Sequence, residues 1–334
     1  IIYSFCLVSI KTIYWSLERG SECNLTRSES EAEAQAFVPG HITGIFRIFD
    51  DCRDVLRCGS RGGGFSVAIG TRTRVVVKNS ERTEISVYYD GRAIEAPVTY
   101  TVVKEMLNDY GMSAEVHVYH ESDLPIGVGF GASGAGALGT ALSLGKIIND
   151  RMDLATAGQY AHAAEVMNRT GLGDVIAQTV GGVEIRTEPG APGVGSVINL
   201  PFPTDTIVVL AGREGIETKD ILTDPDSRQR INDVGDDLLQ ILYSDPSFDA
   251  LLQCSKDFAK QTGLMTSRVD TALRDLWNAG YDAASMVMLG DSVFCLCDDL
   301  TSVGEVRRIL ERHWNTSEIH VTSISARGGG LIDA

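Results

Sequence analysis

The feature that most constrains this sequence is a glycine-rich segment, "PIGVGFGASGAGALGTALSLG" at 125–145. Its glycines begin with Gly127, Gly129, Gly131, Gly134 and Gly136. Closely spaced glycines let a backbone wrap tightly around a ligand. The apolar run that follows predicts a helix over 133–148, and a helix start presents unpaired N–H groups and a positive dipole end. The segment therefore predicts an anion-binding loop.

A dinucleotide-binding motif fits the letters of this segment but not its context. Gly129, Gly131 and Gly134 satisfy G-x-G-x-x-G. A dinucleotide fold needs a strand that runs directly into the first glycine and a second strand after the helix. Here "HESDLP" separates the strand from the glycines, and one predicted helix follows another. We therefore set this interpretation aside.

Two other motifs match the glycine-rich segment only in part, and a purely structural role would also explain it. A Walker loop needs Gly-Lys-Ser/Thr, and the nearest lysine, Lys146, lies a helix away. A serine-hydrolase elbow needs G-x-S-x-G, but Ala135 stands where the last glycine should follow Ser133. A small-residue helix start that simply packs against a sheet would need no ligand, and the loop alone leaves this alternative open.

The pattern along the chain predicts an α+β protein, with strands first, then helices, then a second mixed unit after about residue 200. Asp90–Gly91 indicates a hairpin turn. Strands are predicted over 36–48, 62–79, 83–94, 114–127, 205–211, 285–297 and 318–325. Helices are predicted over 98–111, 133–148, 154–171, 227–243, 247–260, 267–277 and 302–313.

Composition and charge argue against nucleic acids and membranes as partners. The formal net charge is −16, whereas a nucleic-acid phosphate backbone needs a basic surface. The apolar start "IIYSFCLVSIKTIYWSL" is interrupted by Lys11. It is short for a membrane span and lacks the basic region and cleavage site of a signal peptide. We expect no nucleic acid and no membrane, and residues 1–34 are predicted to be a disordered extension outside the fold.

The cysteines favour a reducing, cytoplasmic location. Their number, seven, is odd, and none form the C-x-x-C pair of a redox or zinc site. Cys295 and Cys297 are two residues apart on a predicted strand, so they share one face. The sequence predicts that this pair is buried as small apolar side chains.

The segment "LPIGVGFGASGAG" resembles the P-x-x-x-G-L-G-S-S-A phosphate loop of the GHMP kinases. Phe130 replaces the usual leucine and Ala132 the first serine, whereas Ser133 keeps the second. "FVPGHITGIF" and "GLGDVIAQTVGG" are similar to other segments of that family and occur in the family's order. The resemblance covers the chain from about residue 36 to its end. It implies a two-domain fold, with an ATP-binding ribosomal-protein-S5-like domain over 35–203 and a ferredoxin-like domain over 204–334.

One branch of the family, the archaeal pantoate kinases, resembles the chain best. The similar segments are "FVPGHITGIF", "CGSRGGGFSVAIGTRT", "RTGLGDVIAQTVGGVEIRTEPGAPG", "IETKDIL" and "ASMVMLGDSVF". The resemblance implies ATP-dependent phosphorylation of the 4-hydroxyl of pantoate in coenzyme A biosynthesis. The family's third glycine-rich motif is not intact here. A GHMP kinase for another small alcohol (homoserine, mevalonate or shikimate) and a non-catalytic small-molecule-binding paralogue remain alternatives.

The resemblance also implies site residues, with ATP and Mg²⁺ as cofactors and ATP and pantoate as the small-molecule partners; a homodimer is compatible with it. Asp174 would be the base, and Ser133 and Glu165 would hold Mg²⁺. The implied phosphate-binding residues are Pro125, Gly127, Gly129, Phe130, Gly131, Ala132, Ser133 and Gly134. Pantoate is a carboxylate, which a cation must bind. The substrate-binding candidates are His41, Arg47, Arg61, Arg169 and Lys219.

Overall fold

The structure is a computed structural model that describes residues 31–214 and 224–333. In chain order, its strands are β1 (Glu31–Phe49), β2 (Gly59–Asn79), β3 (Glu84–Tyr89), β4 (Arg92–Ala93), β5 (Ala114–Ser122), β6 (Val183–Glu188), β7 (Ser196–Leu200), β8 (Ile207–Arg213), β9 (Ala284–Met286), β10 (Asp291–Cys297), β11 (Ile319–Ser323) and β12 (Gly330–Ile332). Its helices are α1 (Pro97–Asp109), α2 (Ala132–Ile148), α3 (Leu154–Asn168), α4 (Asp174–Val180), α5 (Pro225–Ser244), α6 (Phe248–Thr262), α7 (Ser267–Asn278) and α8 (Leu300–Leu310).

The first sheet is built on the long antiparallel pair β1 and β2. Its order is β12-β1-β2-β5-β3-β4, and β6 joins β2 along a different part of that strand. β5 pairs with residues 71–79 of β2, whereas β6 pairs with residues 62–65. The helix α2 packs against β1 and β2, and nearly all of its residues are buried. This arrangement brings the start of α2 close to the middle of β1.

The second sheet is antiparallel, in the order β11-β8-β10-β9. It begins after β7 ends at Leu200, near the predicted domain boundary. Helices α6, α7 and α8 pack against its strands, while α5 and α6 also contact β1. The last strand, β12, returns to the first sheet, where Ile332 pairs with Gln35. The predicted α+β architecture is confirmed, and one continuous apolar core joins the two sheets.

Two sequence expectations need correction. Residues 285–297 were expected to form one strand, but they form the hairpin β9–β10, in which Leu289 turns the chain with a φ of 67°. The apolar residues on both sides of Leu289 concealed this turn. The predicted extension 1–34 is also too long, because β1 begins at Glu31. Ala32 and Ala34 pack against the core while the alternating Glu31 and Glu33 are exposed; residues 1–30 lie outside the described residues.

The cysteines differ in part from the expectation. Cys254, Cys295 and Cys297 are buried free thiols, as predicted for the last two. Cys52 and Cys58 form a disulfide in the segment between β1 and β2, with their Cα atoms 5.6 Å apart, a separation that disulfides ordinarily have. The fully reduced set expected from the sequence therefore does not describe this pair. Across the described ranges, no helix combines the length and apolarity needed to cross a membrane.

Candidate active site

A cleft of about 480 Å³ opens where the glycine-rich loop, the start of α4 and the second sheet meet. Most of loop 125–133 and the turn 168–174 line it, and Met288 and Leu289 close it from the second sheet. Ser60 and Arg186 reach it from strands of the first sheet. The cleft thus collects polar groups from distant parts of the chain, and it is the candidate active site.

The loop between β5 and α2 depends on its glycines. Gly127, Gly129 and Gly131 have φ angles of 77°, 84° and 73°, in the left-handed region that favours glycine. Helix α2 begins at Ala132, and no side chain within the described residues caps it. The first N–H groups of α2 therefore remain free to bind an anion in the cleft.

Neighbouring elements hold this loop in place. The Ser292 hydroxyl on β10 donates to the carbonyl oxygen of Val128 at 2.8 Å. The side-chain amide of Gln178 on α4 donates to the carbonyl oxygens of Gly131 at 2.9 Å and of Pro39 at 3.0 Å. The loop is therefore fixed from the second sheet, from α4 and from β1, which gives it a defined shape before any ligand binds.

The predicted phosphate loop lies where it could bind a nucleotide. Gly134 lies behind the cleft wall, against Gln178. The predicted residues that line the cleft are Pro125, Gly127, Gly129, Phe130, Gly131, Ala132 and Ser133. Ala132 offers no hydroxyl, so the binding groups here are backbone N–H groups and the hydroxyl of Ser133.

Ser133 and Glu165 meet at the floor of the loop. The Ser133 hydroxyl donates to Oε1 of Glu165 at 2.5 Å. Oε2 of the same carboxylate is buried and has no hydrogen-bond partner among the described residues. Burial, with the nearby charge of Asp174, raises the pKa of Glu165 to about 7, against the opposing hydrogen bonds from Ser133 and Thr170. Among the described residues, no cation forms an ion pair with this carboxylate.

Mg²⁺ fits this pair of residues. Hard cations take oxygen ligands, and Mg²⁺ is commonly held by one or two protein oxygens together with substrate phosphates and water. The Ser133 hydroxyl is such an oxygen, and so is Oε2 of Glu165, which has no hydrogen-bond partner in the part of the chain that the structure describes. In the described part of the chain, no three His, Cys, Asp or Glu side chains form a metal cluster, so a cation here would rely on the phosphates for its remaining ligands.

Asp174, at the first position of α4, faces the same cleft. Its side chain keeps 29% of its surface exposed. Its Oδ1 lies 2.8 Å from Nδ1 of His41 and accepts from the Thr43 hydroxyl at 3.5 Å. Burial raises the pKa of Asp174, but the hydrogen bond and charge of His41, with Arg186, outweigh it and lower the pKa overall. Asp174 is therefore an ionised carboxylate that is open to the cleft.

Behind Asp174, charged side chains continue into the protein. His41 is fully buried, and its Nε2 lies 3.2 Å from Oε1 of Glu184. Burial lowers the pKa of His41, but the carboxylates of Glu184 and Asp174 outweigh it and raise the pKa to about 9. Nη1 of Arg186 donates to Oε1 of Glu184 at 2.5 Å. His41 is thus an imidazolium at neutral pH, with a carboxylate on each side.

Arg186 is the cation best placed to receive an anionic substrate. Its side chain is only 1% exposed, yet it lines the cleft. Its Nε and Nη2 are buried and have no hydrogen-bond partner within residues 31–214 and 224–333. Unpaired buried N–H groups are costly, and a guanidinium edge with two free donors matches a carboxylate.

Two predicted substrate-binding arginines lie outside the cleft wall. Arg47 pairs with Asp236 at 2.7 Å, and Arg61 pairs with Glu188 at 2.9 Å. Neither lines the cleft. Both arginines were suggested because each adjoins, in sequence, a segment that resembles the family. The long strands that carry them also pass the site.

The other three substrate-binding candidates differ in where they lie relative to the cleft. Arg169 lines the cleft at the end of α3, with a left-handed φ of 59°. His41 lies behind Asp174, where a ligand in the cleft would reach it only past that carboxylate. Lys219 lies outside the described residues.

Sequence reasoning missed Glu184 and Arg186, although a signal was present. The two residues are two apart in the short strand β6, so they share a face. In "GGVEIR", apolar residues occupy the alternate positions, and Glu184 and Arg186 are both about 1% exposed. Opposite charges on a strand bounded by apolar residues could have indicated a buried pair.

Two family models match the chain. "GHMP kinases N terminal domain" matches residues 97–182, which include the glycine loop, Glu165 and Asp174. "GHMP kinases C terminal" matches residues 238–316, which cover β9 and β10 of the second sheet and the helices α6, α7 and α8.

Curated relatives and a solved structure match more of the chain. The pantoate kinase of Thermococcus kodakarensis is 35% identical, over 79% of this chain and 88% of the relative. The pantoate kinase of Methanocaldococcus jannaschii is 33% identical, over 78% of this chain and 91% of the relative. A solved "phosphotransferase related to CoA biosynthesis pathway" is 31% identical, with a TM-score of 0.80 over 90% of this chain and 99% of that one. The chain belongs to the pantoate kinase family of the GHMP kinases.

Proposed function

We propose that this chain transfers the γ-phosphoryl group of ATP to the 4-hydroxyl of pantoate, a step of coenzyme A biosynthesis. The relatives that cover most of the chain are named for this activity. ATP is a cytoplasmic substrate, and we place the reaction in the cytoplasm.

The observation that carries the choice of a hydroxy acid as acceptor is Arg186, and the similarity to pantoate kinases favours pantoate among the hydroxy acids. A kinase for a neutral alcohol has no need of a buried guanidinium whose Nε and Nη2 find no partner among the described residues. Pantoate supplies a carboxylate that satisfies both donors, and a bidentate pair fixes the orientation of a planar carboxylate. The gem-dimethyl group of pantoate would find apolar contacts in the cleft, whose lining includes Phe46 and Leu172.

Asp174 would act on the hydroxyl at the other end of the substrate. Its exposed, ionised carboxylate accepts a hydrogen bond from the 4-hydroxyl. As that oxygen bonds to the γ-phosphorus, the proton passes to Asp174 and the bond from phosphorus to the β,γ-bridging oxygen breaks. Positioning and charge stabilisation contribute most to such a transfer.

The glycine loop and the start of α2 would hold the nucleotide's phosphates through backbone N–H groups. Ser133 and Glu165 would hold Mg²⁺, which neutralises charge on the phosphates. The protein is acidic as a whole, so these local positive groups must overcome the repulsion of a polyanion.

The proposal is tested by measuring ADP release with pantoate, homoserine, mevalonate and shikimate in parallel. We expect turnover with pantoate to exceed that with each other acceptor by at least about a hundredfold in kcat/KM. All four acceptors carry a carboxylate, but mevalonate and shikimate hold their hydroxyl at a different distance from it, and homoserine has an ammonium group in place of the 2-hydroxyl and lacks the gem-dimethyl group. Turnover with a different alcohol and not with pantoate would overturn the substrate. ATP binding without turnover of any acceptor would favour the non-catalytic alternative.

A further inference from the structure

Two glycines of β2 leave this strand without side chains beside the candidate site. Gly62 and Gly64 lie between β1 and β6, opposite Arg186 and Glu184 respectively. A Cβ at Gly64 would lie 2.9 Å from Nε2 of His41, and one at Gly62 would lie 2.7 Å from Nη2 of Arg186. Only residues without a side chain fit here, because backbone carbonyl oxygens of β1, at Ile42 and Ile45, and these charged side chains both occupy the space that a Cβ would need.

These groups form a continuous series of contacts, which we call the charge chain: Asp174, His41, Glu184 and Arg186. Its separations are 2.8 Å, 3.2 Å and 2.5 Å, in that order. The residues come from α4, β1 and β6, so the chain crosses three elements. One end is the carboxylate exposed to the cleft, and the other is the guanidinium with two free donors.

Burial makes this geometry difficult to distort. His41 and Glu184 are 0% and 1% exposed, and an unpaired charge in such a place is very unfavourable. The signs alternate along the chain, so each inner group is paired on both sides. Displacing either inner residue would leave a buried charge without its partner, and both ends would then lose a fixed position.

We propose that His41 and Glu184 are positioning residues that fix the Arg186 guanidinium relative to the Asp174 carboxylate. The distance between these two groups then sets which separation between carboxylate and phosphorylated hydroxyl the protein accepts in a substrate. This rests on the proposed function, in which Arg186 binds the carboxylate and Asp174 faces the hydroxyl. Neither inner residue touches the substrate, and both act through the ends of the charge chain.

The test uses pantoate and 3-hydroxy-2,2-dimethylpropanoate, which keeps the gem-dimethyl group but is shorter by one carbon. The variants are His41→Gln and Glu184→Gln, which remove an inner charge with little change of size. We measure kcat and KM for both acceptors and KM for ATP. The preference for pantoate, as a ratio of kcat/KM values, should fall at least about tenfold in each variant, since small misplacements are costly in catalysis. KM for ATP should change less than about twofold.

Matched variants control for loss of charge elsewhere. His117→Gln removes a histidine that pairs with Glu115 at 2.6 Å but does not line the cleft. Glu188→Gln makes the same substitution as Glu184→Gln two positions beyond Arg186 on β6, at an exposed pair. Both controls should keep the preference for pantoate. His41→Lys restores a cation that can donate to both carboxylates, and it should recover at least half of the lost preference.

The outcomes separate the inference from the proposed function. If His41→Gln and Glu184→Gln remain folded by circular dichroism and keep the wild-type preference, the inference is wrong. An equal loss for both acceptors would also overturn it, since this indicates only a structural role. If a single variant does not fold, the double variant, which removes one charge of each sign, is held to the same criteria. If wild-type protein instead uses another hydroxy acid, the proposed function fails, and the same ratios are measured with that acid and its analogue one carbon shorter.

Discussion

The Ser133 hydroxyl donates to one oxygen of the Glu165 carboxylate at 2.5 Å, while the other oxygen is buried without a partner in the described part of the chain. A serine from the start of α2 and a glutamate from α3 thus present oxygen ligands beneath the glycine loop. Glu165 follows Ser133 by 32 residues in sequence, so the helices α2 and α3 must pack together before the pair exists.

Replacing Glu165 by Gln should weaken Mg²⁺-dependent nucleotide binding. The substitution keeps the hydrogen bond to Ser133 but removes the negative charge that a divalent cation needs. We expect kcat to fall about a hundredfold or more and the Mg²⁺ concentration for half-maximal activity to rise. Activity titrated with Mg²⁺ measures both. Glu188→Gln serves as a control, and an unchanged Mg²⁺ requirement in Glu165→Gln would contradict the assignment.

Asp174→Asn should remove the proton acceptor without closing the cleft. The amide can still hold a position near His41, but it cannot accept a proton. The expected loss in kcat is about 10²–10⁴-fold, the usual contribution of a positioned base. Nucleotide affinity, measured by calorimetry with a non-hydrolysable analogue, should stay within about threefold. Near-wild-type kcat would exclude Asp174 as the base.

Arg186→Lys tests carboxylate binding against the arginines suggested by the sequence. Lysine keeps the charge but lacks the planar pair of donors, so KM for pantoate should rise about tenfold or more while KM for ATP changes little. Arg61→Lys is the matched comparison, because Arg61 pairs with Glu188 outside the cleft wall. A larger rise in KM for Arg61→Lys than for Arg186→Lys would reverse the assignment.

The free energy of unfolding should fall on both sides of neutral pH, because different histidines lose their stabilising contribution at acidic and at alkaline pH. Burial lowers the pKa of His120 and His162 to about 4. Their contribution is therefore present above the ordinary value of 6.5 and is lost as the pH falls towards 4. Each should cost about 1.4 kcal/mol per pH unit within that window. The raised pKa of Glu165, about 7, offsets one of the two, because the penalty for burying its charge is relieved as the pH falls from 7 to about 4.5, so a net loss remains. His41 has the opposite pH dependence. Its pKa is about 9, so its stabilising contribution is complete below pH 6.5 and is lost as the pH rises through 9.

Urea unfolding at pH 5, 7 and 9.5 measures these effects. The free energy of unfolding should be greatest near pH 7, and His41→Gln should flatten the alkaline side. A free energy that stays constant from pH 7 to 5 would contradict the burial of neutral His120 and His162.

Gly134→Ala should disturb the contact between α2 and α4. The new Cβ would lie 2.6 Å from Oε1 of Gln178, whose amide holds the glycine loop. We expect a loss of about 1–3 kcal/mol in stability, as for other overpacked sites, and a lower kcat. Gly304→Ala, in the helix α8, is the control because nothing lies within 4 Å of its Cβ. It should be neutral or stabilise by about 0.5–1 kcal/mol, and equal effects at both sites would contradict this packing.

Local patterns in the sequence predicted most of the elements that build this fold. The spacing of apolar residues located the helices other than the short α4, and Asp90–Gly91 predicted the hairpin turn between β3 and β4, where both residues have positive φ. The strands β6, β7 and β12 were not predicted. The β9–β10 turn was missed because Leu289 gives no local turn signal. The start of β1 was missed because alternating Glu and Ala near Glu31 also suits a polar linker.

For the site, sequence reasoning reached the residues that carry motifs and missed those that depend on distant contacts. The predicted phosphate loop, Glu165 and Asp174 follow one another in the family's order. The structure places the loop and Asp174 in the cleft wall and Glu165 against Ser133. The contact between His41 and Glu184 spans 143 positions, and no local pattern encodes it. Arg186 was missed because its role depends on which of its donors the fold leaves unpaired.

The most direct test of the central claim is identification of the product by phosphorus NMR. Purified protein is incubated with ATP, Mg²⁺ and pantoate, and the new resonance is examined for coupling to protons. The account predicts a phosphomonoester coupled to the two protons at C4 of pantoate, formed in equal amount to ADP. ADP release without a new phosphomonoester, or a phosphate coupled to the single proton at C2, would contradict it.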